Sequence, residues 1–177
     1  PIKSSAASDV YKRQVHDSSS VTYPVFTAIA APEVQNKLNG DFAIIAGPYL
    51  QNLATGGCEL DYTLTFVSEK FISMVFFGVL DEGEKEIFAK IPLNIDVQTG
   101  AQLALGDVLN LRDADLLPVL RLLTKKDKVD FSKGIPESWY YNGTNFVFCQ
   151  RSETGEWLEA TVAASDLKKF LLKPELF

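Results

Sequence analysis

Residues 58–97 read CELDYTLTFVSEKFISMVFFGVLDEGEKEIFAKIPLNIDV, and three strands can be read from them. From Cys58 to Ser68, Leu60, Tyr62, Leu64 and Phe66 alternate with Glu59, Asp61, Thr63 and Thr65. That period of two predicts a strand with one buried and one wet face. Phe71 to Leu80 is apolar at nearly every position. It predicts a central strand, or one lying under a helix, covered on both faces. From Glu86 to Val97 the alternation returns, with Pro92 in the middle of the run. Proline has no N–H to give to a ladder, so this strand is expected at an edge or with a bulge. The acidic turn that joins the last two strands, Asp81, Glu82, Glu84 and Glu86, fits no calcium-loop spacing and reads as a solvated turn.

Working outward, Val21 to Ala28 predicts a short strand. Pro32 suits a first helical turn, and Val34, Leu38, Phe42, Ile45 and Tyr49 then mark one apolar helix face, which Gly47-Pro48 is expected to end or kink. After the turn at Asp96–Gly100, Leu103 to Leu109 reads as a brief return. Asp113 is placed to cap a helix through Leu123, with Leu116, Leu117, Leu120 and Leu123 inward. Trp139-Tyr140-Tyr141, Asn142-Gly143 and Thr144 to Phe148 form a hairpin signal, because Asn-Gly suits a tight type I′ turn. Trp157 to Ala163 predicts a last strand, and Ser165 caps an expected terminal helix stopped by Pro174. The order β-α-βββ-α-βββ-α predicts an α+β domain: a largely antiparallel sheet of about six strands packed by two or three helices.

Ser4 to Gln14, SSAASDVYKRQ, is identical to the translation of a transposase adaptor used in sequencing libraries. Residues 1–14 are therefore read as an artefactual tail, expected to be disordered and to pack against nothing, with the domain at 15–177. Without that tail, which carries Lys3, Lys12 and Arg13 against Asp9, the formal charge moves from −6 to −8. An acidic chain disfavours nucleic acid and anionic membranes and suits cationic partners. No apolar run approaches the roughly 20 residues of a membrane span.

Motifs for chemistry are sparse. His16 is the one histidine, so a core Ser-His-Asp, Cys-His or histidine-based zinc site lacks its histidine. Gly56-Gly57 opens a strand rather than a helix and makes no phosphate loop. Cys58 and Cys149 have no metal-type spacing; they can pair in an exported protein or remain buried thiols. No catalytic, cofactor-binding or metal-ligating residues are expected. Trp139, Tyr140 and Tyr141 are candidate ligand-facing aromatics, with core and cross-strand packing as the commoner role of such hairpins.

The chain resembles the RsiV C-terminal-like family of bacterial extracytoplasmic domains, domain of unknown function 3298. The likeness rests on Tyr23-Pro24, on Asn39 in the following helix, and on the spacing of Asp96, Thr99, Gly100, Leu103, Leu105 and Asp107. It extends over roughly residues 21–172. Arg151 to Glu156 stands where the family carries Tyr-Glu-x-x-Pro. Asp96, Thr99, Gly100 and Asp107 are expected to be structural, making a turn and a cap. The resemblance implies a non-catalytic, extracytoplasmic ligand-binding or sensory domain of a cell-envelope protein, secreted or membrane-anchored. Its implied partners are a cationic protein such as lysozyme or a cell-wall glycan. The alternative is an accessory domain of a peptidoglycan-modifying enzyme.

Overall fold

A computed structural model describes residues 9–16, 19–27, 29–81 and 86–177. The three strands read from residues 58–97 form the middle of a six-stranded sheet. Its members are β1 (Asp9–His16), β2 (Ser19–Phe26), β3 (Cys58–Val67), β4 (Phe71–Asp81), β5 (Glu86–Asp96) and β6 (Ala101–Gln102), in that spatial order. Every pairing is antiparallel except β2 with β3. That exception follows from α1 (Pro32–Asn52), which carries the chain from β2 back along the sheet before β3 begins.

Helix α1 lays Val34, Leu38, Phe42, Ala46 and Tyr49 on one sheet face, against Leu60, Met74, Phe76 and Ile95. Gly47-Pro48 does not end the helix. Buried Ala46 and Tyr49 pin the turn on either side, and the helix runs on to Asn52. Asn39 fastens the helix to β2: its Oδ1 accepts from Phe26 N at 2.8 Å and its Nδ2 donates to Phe26 O at 2.9 Å. It supplies Phe26 with the hydrogen bonds a neighbouring strand would give.

The opposite sheet face carries a second sheet of three strands, which the single-sheet expectation did not contain. These are β7 (Ser138–Tyr141), β8 (Asn145–Arg151) and β9 (Trp157–Ala163). Between the sheets, and under α2 (Leu105–Val108) and α3 (Leu116–Leu123), lies a second core built on Phe71, Trp139, Tyr141, Phe146 and Phe148. From Phe71 to Phe76, β4 is thus covered by α1 on one face and by the small sheet on the other, which explains the largely apolar character of that stretch. β5 behaves as the edge that Pro92 demands: beyond β4 it pairs only through Ile95 and Asp96.

Several elements depart from expectation for tertiary reasons. The register of β3 shifts between Leu64 and Phe66, so Phe66 leaves the face of Leu60, Tyr62 and Leu64 and packs in the second core. Leu123 is exposed, while Leu116 and Leu120 are buried. In the β7–β8 hairpin, Asn142 N donates to Asn145 O, so Gly143 (φ +95°) and Thr144 are the central residues. Asn142 Oδ1 accepts from Asn145 N at 2.9 Å and stands outside the centre it was expected to occupy. The expected terminal helix is two 3-10 turns, Lys168–Phe170 and Pro174–Leu176. There Asn110 N donates to Phe170 O and Leu172 N to Val108 O, and these long-range bonds replace helical ones.

Residues 9–14 are not disordered. They lie in β1, paired with β2 from Asp9↔Phe26 to His16↔Ser19. The reason is backbone chemistry: the edge of β2 presents unpaired N–H and C=O groups that any extended segment can satisfy. Tyr11 remains 62% exposed, and neither core includes a β1 side chain among the described residues.

Candidate functional site

The outer face of the large sheet, the one turned away from α1, is divided in two. Toward Phe71 and Asp96 it is covered by the small sheet. Toward Glu59 and Phe88 it is open.

The covered half is joined by buried polar side chains. Ser73 Oγ donates to Asn94 Oδ1 at 2.7 Å, Asn94 Nδ2 donates to Trp139 O at 2.7 Å, and Tyr141 N donates to Ser73 Oγ at 2.8 Å. Ser73 and Asn94 are buried, and across the β4–β5 ladder they stand directly opposite one another. They meet backbone groups on the outer edge of β7 that would otherwise be buried without partners. Around them, the Trp139 ring stacks on Phe146 at 5.4 Å, and Tyr141 meets Phe66 edge-on at 5.0 Å.

Of the three candidate ligand-facing aromatics, Trp139 (2% exposed) and Tyr141 (4%) therefore belong to this core. Alternation along β7 turns only Tyr140 outward. Its hydroxyl donates to Glu159 Oε1 at 3.0 Å, and burial, with that carboxylate, raises its pKa. Glu159 also binds Lys90, whose ammonium lies 5.5 Å from the ring centres of both Phe77 and Tyr140. Beneath them Cys149 is a buried free thiol, its pKa pushed up to about 12 chiefly by burial. Cys58 is also a buried free thiol, donating to Tyr49 O, so the two cysteines are not paired.

The open half begins at Phe77 and Lys90. The ladders set Glu59 opposite Val79 and Val79 opposite Phe88, and Asp61 opposite Phe77. Opposed residues share a face, so these side chains form a shallow groove of about 380 Å³, with Trp157 of β9 at its margin. Phe77 is 44% exposed and Phe88 51%. Glu59, Asp61 and Glu86 are exposed and have no ion-pair partner among the described residues. Sequence reading assigned Phe77 and Phe88 to strands and did not single them out. Their signal is that Phe77 and Phe88 fall on the same face as Glu59, Asp61 and Glu86, visible only once the ladder register is known.

The residues of the spaced turn motif are tied together by short local hydrogen bonds. Asp96 Oδ1 accepts from Gln98 N and Thr99 N, Thr99 Oγ1 accepts from Ala101 N, and Asp107 Oδ2 accepts from Ala104 N at the start of α2. Gly100 (φ +65°) donates its N–H to Asp96 O, and its carbonyl accepts from Lys37 Nζ at 2.8 Å, tying the turn to α1. Of the acidic turn, Glu82 and Glu84 lie outside the described residues. Among the described residues no group of three or more His, Cys, Asp or Glu side chains can hold a metal, and no helix is long and apolar enough to cross a membrane.

A six-stranded, mostly antiparallel sheet with a long helix on one face and a small sheet on the other defines an α+β class. No family profile and no curated protein matches the chain by sequence. By structure it is similar to a DUF3298-family protein from Bacteroides fragilis, with a TM-score of 0.65 at 12% identity over 93% of this chain and 92% of that one. It is also similar to a DUF3298-family protein from Pseudomonas aeruginosa, with a TM-score of 0.60 at 12% identity over 96% and 95% of the two chains. The fold is of the DUF3298 type.

Proposed function

We propose that this chain is a non-catalytic, ligand-binding or sensory domain working outside the cytoplasm in a bacterial cell-envelope protein. The observation that carries the reading is the open half of the outer sheet face. Two phenylalanines half in water on an otherwise well-packed sheet, rimmed by Glu59, Asp61 and Glu86 with no ion-pair partner among the described residues, have the make-up of a recognition surface. The extracytoplasmic setting is supported by the resemblance carried by Tyr23-Pro24, Asn39 and the Asp96–Asp107 motif. The ligands this setting offers are a cell-wall hydrolase such as lysozyme, which is cationic, or a cell-wall glycan fragment.

Calorimetric titration of the protein with hen lysozyme and with soluble peptidoglycan fragments tests the reading. Binding of either, weakened by Phe88→Ser, agrees with it. No binding of either, or turnover of the glycan, overturns it. The unbroken upstream reading frame tests the setting: an export signal or membrane anchor agrees, and a cytoplasmic domain in that place contradicts it.

A further inference from the structure

We infer that the open groove takes an extended, basic polypeptide segment, with lysine or arginine side chains on its rim carboxylates and over the exposed ring of Phe88. This deepens the ligand-binding reading and rests on it, adding the chemistry of the occupant. Charge complementarity favours this occupant. Glu59, Asp61 and Glu86 surround the two rings. Lys90 is the only cation beside the rings among the described residues, and Glu159 neutralises it. Arg13 of β1 falls on this face two strands from Asp61, because Arg13 pairs with Thr22 and β2 runs parallel to β3.

The geometry favours an extended segment over a compact ion. Glu59 and Asp61 are alternate residues of one strand, so their side chains are spaced by about 7 Å along it. Alternate residues of an extended peptide have the same spacing and place cations over both. Phe77 already holds one ammonium, that of Lys90, near its ring, and Phe88 holds none from the described residues. An incoming guanidinium over Phe88 repeats the arrangement that Lys90 makes with Phe77. A membrane surface is disfavoured because its anionic headgroups meet carboxylates, and a nucleic acid is disfavoured for the same reason.

The test uses the full chain and two synthetic peptides, acetyl-Arg-Val-Arg-Val-Arg-amide and its glutamate counterpart, followed by calorimetry and by amide chemical shifts. The basic peptide binds and shifts resonances of residues 59–61, 77–79 and 86–90; the acidic one does not. Glu59→Gln with Asp61→Asn weakens binding about tenfold, as does raising NaCl from about 0.05 to about 0.5 M. Phe88→Ser weakens it by a similar factor without changing the salt dependence. Equal binding of both peptides, shifts confined to another surface, or binding of chitotetraose in the groove with no response to the basic peptide overturns the inference. So does self-association through this face in sedimentation equilibrium. Lysozyme or glycan binding that survives alongside a failed basic peptide leaves the broader functional reading intact and removes only this assignment.

Discussion

The two halves of the outer face of one sheet are built from the same strands and have opposite fates. Along β4, Phe71, Ser73 and Val75 are buried under the small sheet, while Phe77, two residues further, is 44% exposed. The difference lies in what each half offers its neighbour. The covered half presents Ser73 and Asn94, which meet the backbone of β7, and the rings of Phe71 and Phe66, which pack against Trp139 and Tyr141. The open half presents carboxylates around its rings, and burying unpaired carboxylates costs more than burying the rings returns. A sheet can therefore keep one half of a face for stability and leave the other for recognition.

The strongest way to break this comparison is to damage the covered half. Trp139→Ala removes the ring stacked on Phe71 and Phe146 and is expected to cost about 3–5 kcal/mol, read by urea unfolding. A loss near zero would mean that the small sheet does not depend on this core. Asn94→Ala leaves the Trp139 carbonyl without its donor and the Ser73 hydroxyl without its acceptor, at an expected cost of about 2–3 kcal/mol. Asn94→Asp is expected to be no better, because it loses the donor to Trp139 O and buries a charge.

The open half is open on one face only. On the α1 side, a Cβ on Gly78 would fall 2.0 Å from the Tyr49 hydroxyl oxygen. Gly78→Ala is expected to destabilise by about 1–3 kcal/mol through overpacking against the Tyr49 ring, and Tyr49→Leu together with Gly78→Ala to recover part of that loss.

A smaller effect comes from Cys149 at the boundary between the halves. Its folded pKa of about 12 lies above its ordinary value of 9.0. The folded state thus favours the neutral thiol, and the stabilisation is complete below pH 9 and lost as pH rises toward 12. Stability should fall over that window, less steeply in Cys149→Ala, and the native thiol should resist alkylation at pH 8. Rapid modification of Cys149 in the folded protein would show that this boundary opens.

The large sheet was legible in the sequence because its signals are local. Alternation in residues 58–67, the two-sided apolar run at 71–80 and Pro92 set strand, centre and edge without help from the rest of the chain. The turn motif was legible for the same reason, since Asp96, Thr99 and Gly100 bond within a few residues of one another. What was not legible depends on partners far along the chain. The bulge at Thr65 turns Phe66 over, and no spacing announces it. Asn94 reads as one polar residue in a strand until Trp139 is placed against it. Trp139 and Tyr141 stood as ligand-facing candidates beside their commoner core role because their hairpin was read alone, and the surface left outside belongs to Phe77 and Phe88. Residues 9–14 formed a strand because edge pairing is made by the backbone and asks little of the side chains.

The most direct test of the division is Phe88→Ser, measured in one preparation by urea unfolding and by titration with the basic peptide. The account predicts a stability change within about 0.5 kcal/mol, as for an exposed side chain, and a loss of affinity of about tenfold. A stability loss of the size expected for Trp139→Ala, or an unchanged affinity, would contradict it.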